Sequence, residues 1–352
     1  MWLHTCSTLA ENPDVFIMTD SQLKFFNAGY QMMYWAVPIF FMITGALLLN
    51  PEKEITAQDC WRRYAVRILL AIVIFGAPFA VLRLVMETDG INIRLLPLSI
   101  KGVLENQSLS HLWYLYTLIG IYLMLTVIRS FVEKAGKNEI RLVLATLLII
   151  DFIVPKVNAV TGLQIAFNIP FTYPLFYLFA GYYLNKADTE KYEKLAAVCV
   201  AVLVVGVWIL NYALDDATAL TGYNSPLMAA FAVAVFVVAK RLRIKDGFKE
   251  KVWKIDRLCF GVYLIHPVFI QFTYRFLRIA PMKAGSLYVV VSIGFWILFT
   301  VMSFIGSYVL RLIRSMYCEG GLQLWSIGTA VWRRRTDRNM CLMTYQFSRL
   351  CQ

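Results

Sequence analysis

Residues 112–128 read LWYLYTLIGIYLMLTVI, an uninterrupted stretch without a charged side chain that Arg129 closes. A helix crosses the hydrocarbon of a bilayer in about 17–25 such residues, at about 1.5 Å of rise each. Further predominantly apolar runs, several with one or two charged residues, lie at 31–49, 66–85, 140–154, 167–184, 194–212, 224–239, 257–275 and 286–312. Backbone N–H and C=O groups find no water in lipid, so such runs must be helices. None alternates in the manner of a barrel strand. The composition agrees: 59% of the residues are hydrophobic, 16% are charged and the mean hydropathy is +0.62, whereas a soluble domain is about a quarter charged. The expected fold is an all-α polytopic transmembrane bundle of about ten helices. It is counted from these nine runs and an apolar stub at 1–10 that reads as the end of a truncated first helix. Residues 1–314 form the membrane domain. Residues 315–352 mix Trp and Arg without helical period and read as a basic, disordered tail.

The charge of the chain is +12. Its basic residues lie in short connections between apolar runs, without the stacking aromatics of a nucleic-acid face, so no nucleic-acid partner is expected. The connections at 50–67, 129–141, 185–194 and 240–257 hold nineteen Lys and Arg residues, against eight on the opposite side. The positive-inside rule places the first set in the cytoplasm. Helix 31–49 then runs inward and the stub runs outward. The seven cysteines show no CxxC spacing and read as free thiols.

The chain has three histidines, His4, His111 and His266. Glu11 follows His4 by about 10 Å of helix, which sets His4 in the outer half of the bilayer. His111 opens HLWYLYTLIGIYL at the outer end of its helix. His266 lies in FGVYLIHPVFIQ, about 15 Å along a helix that enters from the cytoplasm. Ionisable groups at such depths mark functional sites by default, and an imidazole suits general-base work. The plain alternatives are a neutral imidazole bonded to a neighbouring helix, an interfacial residue at His111, and a kink at His266, where Pro267 frees a carbonyl one turn earlier. No close His/Asp/Glu spacing supports a metal. In CWRRYAVR, Arg62, Arg63 and Arg67 stand at the cytoplasmic mouth, with Arg63 and Arg67 four apart on one helix face. Guanidinium forks suit phosphates, and topology-setting charge is the plain alternative. In AVPIFFMITGALLLN, Pro38 bends a helix, and Thr44 with Gly45 permits close helix approach. No P-loop, GxSxG or HExxH occurs.

The ordered segments WLHT, VPIFFMITG, HLWYLYTLIGIYL and FGVYLIHP resemble the acyltransferase 3 family of integral membrane O-acyltransferases. The resemblance is nearest to the bacterial group that includes the enterobacterial common antigen O-acetyltransferase, and it covers most of residues 1–313. It implies about ten transmembrane helices in the bacterial cytoplasmic membrane. The implied reaction transfers an acyl group, usually acetyl from acetyl-CoA, to a hydroxyl of an envelope glycan or lipid-linked sugar. Acyl-CoA enters as co-substrate; no permanently bound cofactor or metal is implied. His4 matches the family's first-helix histidine, the catalytic base. The basic residue that the family carries upstream has no counterpart here. Arg62, Arg63 and Arg67 would bind the CoA phosphates, although the family often sets two arginines with two residues between, and Arg63 and Arg67 have three. His111, Trp113, Tyr114 and His266 would line the substrate pocket, since aromatic faces suit sugar rings; core packing is the plain alternative for Trp113 and Tyr114. An acyl-histidine intermediate stays open. The rival reading is a transporter or flippase-like protein, which proline-broken helices and an internal basic site suit. The membrane part of a resistance-type serine racemase is also similar, but no soluble enzyme domain follows here.

Overall fold

A computed structural model describes residues 1–87, 95–106, 110–166, 173–214, 217–242 and 245–319. Among the described residues, 83% are helical and none is in a strand. The first helix, α1, covers Trp2–Ala10, and α2 covers Asp20–Gln31. Thr19 and Gln22 begin α2 with a reciprocal capping box. A turn at 32–35 leads into α3 (Ala36–Leu48). A π-helical segment, Asp59–Ala65, precedes α4 (Val66–Ala71), and a second, Ile72–Gly76, precedes α5 (Ala77–Glu87). Then come α6 (Leu95–Leu104), α7 (Trp113–Lys134) and α8 (Lys137–Leu148). A π-turn joins α8 to α9 (Val154–Thr161). The chain continues through α10 (Tyr173–Lys186), α11 (Glu193–Ala213), the single turn α12 (Thr218–Thr221) and α13 (Pro226–Lys240). Helix α14 (Asp246–Gln271) runs on as a π-segment to Phe276, and α15 covers Tyr288–Glu319.

Among the described residues, six helical stretches are long and apolar enough to cross a membrane: Asp20–Leu48, Asp59–Val81, Trp113–Lys134, Glu190–Ala213, Gly247–Phe276 and Pro281–Ile313. The expected run 31–49 is the later part of the first; the polar sequence of α2 concealed its beginning. The runs expected at 140–154, 167–184 and 224–239 coincide with α8–α9, α10 and α13, which are individually shorter than a span. Pro38 stands in the first turn of α3, just after the break at 32–35, where a missing N–H is least disruptive. Helix α15 passes the boundary expected at 314; residues 320–352, like Arg94, Pro170 and Arg243, lie outside the described residues.

The closest helix crossing joins α3 to α10. A Cβ on Gly45 would strike the backbone carbonyl of Leu178, and one on Gly181 would strike that of Met42. Small residues let two backbones meet where lipid supplies no hydrophobic drive. Around this crossing lies the larger apolar cluster, drawn from α3, α4, α7, α10, α13 and the middle of α14, with Phe41, Leu115 and Tyr177 fully buried. A second cluster gathers α1, α2, the end of α14 and α15 around Cys6, Phe26, Ile270 and Phe299. His266 falls at the seam, with Ile265 in the first cluster and Ile270 in the second.

The basic connections meet at one end of the bundle. Arg129 donates to the carbonyls of Leu48, Asn50 and Lys53, closing the C-terminus of α3. Arg141 Nε donates to Tyr183 Oη at 2.8 Å. Lys240 Nζ donates to the carbonyls of Leu184 (2.9 Å) and Ala187 (2.8 Å), and Arg241 pairs with Glu190 and Glu193. The other end is tied by Arg275 to Asn12 at 2.6 Å and by Gln22 to the carbonyl of Met282 at 3.3 Å. The partition of loop charges read from the sequence is therefore a partition between two ends.

Candidate functional site

Three elements far apart in the chain bring the three histidines together. α1 carries His4, the turn before α7 carries His111, and α14 carries His266. The ring centroids are 5.0 Å apart for His4 and His266, 5.2 Å for His111 and His266, and 5.8 Å for His4 and His111. His111 and His266 are 5% and 3% exposed, so these imidazoles face the bundle interior. α1 is held against α2 where Cys6 and Trp2 close over Gly29, and Trp2 meets Phe25 and Trp296 edge-on. That packing turns the opposite side of α1, with His4, towards α14. Among the described residues, no group of three His, Cys, Asp or Glu side chains is arranged to hold a metal ion.

Tyr263 fastens two of these elements, and the sequence reading passed over it. Its hydroxyl donates to the carbonyl of His111 at 2.6 Å, and its own carbonyl lies 2.8 Å from His266 Nδ1. The signal was its place in FGVYLIHP, one turn before the proline. Tyr263 also packs on the His111 ring, with centroids 5.3 Å apart.

Trp113 and Tyr114 diverge. Tyr114 turns into the core, 4.8 Å from Phe41 and 6.3 Å from Tyr263, so it packs the interior. Trp113 turns the other way, onto Tyr223 at 5.3 Å, and Tyr223 meets Tyr34 at 4.6 Å. Glu11, which follows α1, acts electrostatically on both Tyr34 and Tyr223. Glu11 is exposed, yet partial desolvation raises its carboxyl pKa above the ordinary value, because the charged form is less well solvated there. Three aromatic rings thus meet at the end of the bundle opposite the basic connections, the end at which α1 gives way to Glu11.

The arginines also separate. Arg62 is exposed, whereas Arg63 and Arg67 are half-buried. Arg63 pairs with Asp59 at 3.5 Å, within the π-helical turn. Arg67 lies over the ring of Phe260, 5.5 Å from its centroid, and it acts electrostatically on Tyr122. The sequence reading of Arg63 and Arg67 assumed an α-helix; the chain instead widens into a π-turn over 59–65 and then tightens at Val66. Phe260, Tyr263 and His266 follow at intervals of three along α14, so the Arg67 contact and the imidazoles are separated by about 9 Å of helix rise. On α7, buried Tyr114 lies 6.3 Å from Tyr263 and buried Tyr122, two turns further on, lies 5.5 Å from Tyr64.

The arrangement therefore offers a cationic end, a cluster of neutral-capable imidazoles within the bundle and an aromatic end. It suits a reaction whose anionic co-substrate arrives from one face and whose acceptor arrives from the other. A comparison with protein families matches residues 1–312 to a family described as an acyltransferase domain. No curated protein and no solved structure matches the chain. The matched span takes in all three histidines and both arginine-bearing helical segments, and by it the chain belongs to the acyltransferase 3 family.

Proposed function

We propose that this membrane acyltransferase moves an acetyl group from acetyl-CoA to a hydroxyl of an envelope glycan or lipid-linked sugar. The observation that carries the reading is the meeting of His4, His111 and His266 within the bundle of a chain of this family. The enzyme works in the bacterial cytoplasmic membrane. Ten membrane helices form it: the six long stretches, together with α1, α8–α9, α10 and α13. The likeness to the enterobacterial common antigen group belongs to this proposal too.

Arg63 and Arg67 hold the phosphates of the donor from the cytoplasmic end, with Arg62 contributing charge at the mouth. The thioester lies along the α14 face that carries Phe260, Tyr263 and His266. The acceptor sugar stacks on the aromatic end, where Trp113 and Tyr223 present flat apolar faces and Glu11 accepts hydroxyl hydrogen bonds. His4 takes the proton of the sugar hydroxyl as its oxygen attacks the thioester carbonyl. The C–O bond forms and the C–S bond breaks. The same proton passes from His4 to the departing thiolate, leaving an ester and free CoA.

The test is the incubation of membranes containing the protein with [acetyl-14C]acetyl-CoA. The expected result is label in an alkali-labile ester on an envelope glycan or lipid-linked sugar. Absence of that label would remove the reading, and uptake of a polar solute without label transfer would replace it with transport.

A further inference from the structure

Helix α14 contains a break in its backbone bonding that His266 fills. In a regular helix the N–H of residue 267 donates to the carbonyl of residue 263. Residue 267 is proline and has no N–H. The freed carbonyl of Tyr263 lies 2.8 Å from Nδ1 of His266, and the carbonyl of Val262 lies 3.1 Å from the same atom. Carbonyl oxygens only accept, so Nδ1 carries the hydrogen. In a neutral imidazole the other nitrogen, Nε2, is then a bare acceptor. That atom is buried and has no hydrogen-bond partner. Leaving such an acceptor unpaired is costly, so the site is built for a donor that is not yet in place.

The nearest ring able to supply the donor is His4. Two imidazoles joined by an N–H···N bond of about 2.9 Å have centroids roughly 5 Å apart. His4 and His266 are separated by 5.0 Å and His111 and His266 by 5.2 Å, so both neighbours lie near the spacing of bonded rings and His4 is the nearer of the two. The planes of the first pair are tilted by 46°. Rotation about the His4 χ2 torsion, which is soft in histidine, brings an N–H onto Nε2.

We propose that His266 is the positioning residue for His4. Its Nε2 accepts an N–H of the His4 ring, so the remaining nitrogen of His4 faces the acceptor hydroxyl without a proton. When His4 takes up the hydroxyl proton, the bond to His266 holds the resulting imidazolium until that proton passes to the leaving thiolate. Pro267 and the Tyr263 carbonyl set the tautomer of His266, and His266 sets that of His4. The order is that of a serine-protease triad, with a backbone carbonyl and a second imidazole in place of the carboxylate. The inference rests on His4 being the base.

Two measurements test it. The chain has three histidines, so 15N-histidine solid-state NMR of the protein in bilayers gives few signals, and the His266→Gln variant assigns one. The expected His266 ring is protonated at Nδ1 and bare at Nε2, with Nε2 coupled to an N–H of His4. A ring protonated at Nε2, or one uncoupled to His4, overturns the proposal. In the transfer assay, His266→Leu is expected to lower kcat by roughly a hundredfold with KM for acetyl-CoA unchanged. His266→Gln, whose Oε1 can still accept, recovers part of that loss. Equal rates in the Leu and Gln variants, or a Leu variant at the wild-type rate, refute it. If the wild-type protein transfers no acetyl group, the functional reading fails, while the NMR measurement still decides the tautomer and the ring-to-ring bond.

Discussion

Replacing Gly181 with alanine adds one methyl group where α10 crosses α3. The added Cβ would fall on the backbone carbonyl of Met42, with the carbonyl carbon and Cα of that residue close behind. A flexible side chain could swing away at little cost, but a helix backbone cannot. The two helices must move apart, and the contact they lose is reciprocal, because Gly45 meets Leu178 across the same crossing. Overpacking of this kind costs about 1–3 kcal/mol, roughly a 5- to 150-fold fall in the folded-to-unfolded ratio. The control is Gly206→Ala on α11, where nothing lies within 4 Å of the added atom. There the helix preference of alanine over glycine gives a change of about 0.5–1 kcal/mol in the stabilising direction. The assay is thermal unfolding of the purified protein in detergent, both variants beside the wild type. Gly181→Ala should melt lower and Gly206→Ala at or above the wild type. A Gly181→Ala protein as stable as the wild type would refute the close crossing, and with it the packing that orders the larger core.

Further outcomes are expected at the site and its supports. His4→Ala should lower acyl transfer by about 10²–10⁴-fold and leave membrane insertion unchanged, read by label transfer beside a membrane-fraction immunoblot. Arg63→Ala and Arg67→Ala should each raise KM for acetyl-CoA by about ten- to a hundredfold, with Arg62→Ala, which is exposed, well below that range; equal effects at all three would show that charge alone matters. Arg129→Met strips the donors from three carbonyls at the end of α3 and should cost about 1.5–3 kcal/mol in the same melting assay. Trp113→Ala should raise KM for the sugar acceptor without moving KM for acetyl-CoA, measured by initial rates with each substrate varied.

The spans were legible because lipid demands long apolar helices, and 112–128 announces one by length alone. The loop charges announced the two ends, since Arg129 and Lys240 were counted as basic residues and prove to cap helices at one of them. Gly45 was legible as a point of close approach; its partner Gly181 was not, because a crossing needs two faces and one sequence shows neither facing the other. The beginning of the first long stretch was hidden, since α2 is polar and its capping box at Thr19 reads like that of a soluble helix. The pair Arg63 and Arg67 was placed with α-helical spacing, and a π-turn altered it; that widening leaves no mark in residue type. The three histidines were each singled out, but their meeting was not deducible, because it depends on how α1, α7 and α14 pack.

Tyr263 explains why that meeting is specific. Its hydroxyl binds the backbone of His111 and its carbonyl binds the ring of His266. One residue thus fixes a main-chain position in the turn before α7 and a tautomer on α14. The carbonyl is free for this only because Pro267 follows four residues later, so the proline does more than bend the helix. The His266 ring lies between two apolar clusters, one around Phe41 and Leu115 and the other around Phe26 and Phe299, and Phe269 packs against both. A polar group within either cluster would have to satisfy itself. At the seam α1 brings the His4 ring to within 5.0 Å of the His266 ring. The place of the site in the fold therefore follows from packing: two apolar cores meet along α14, and the imidazoles gather where they do.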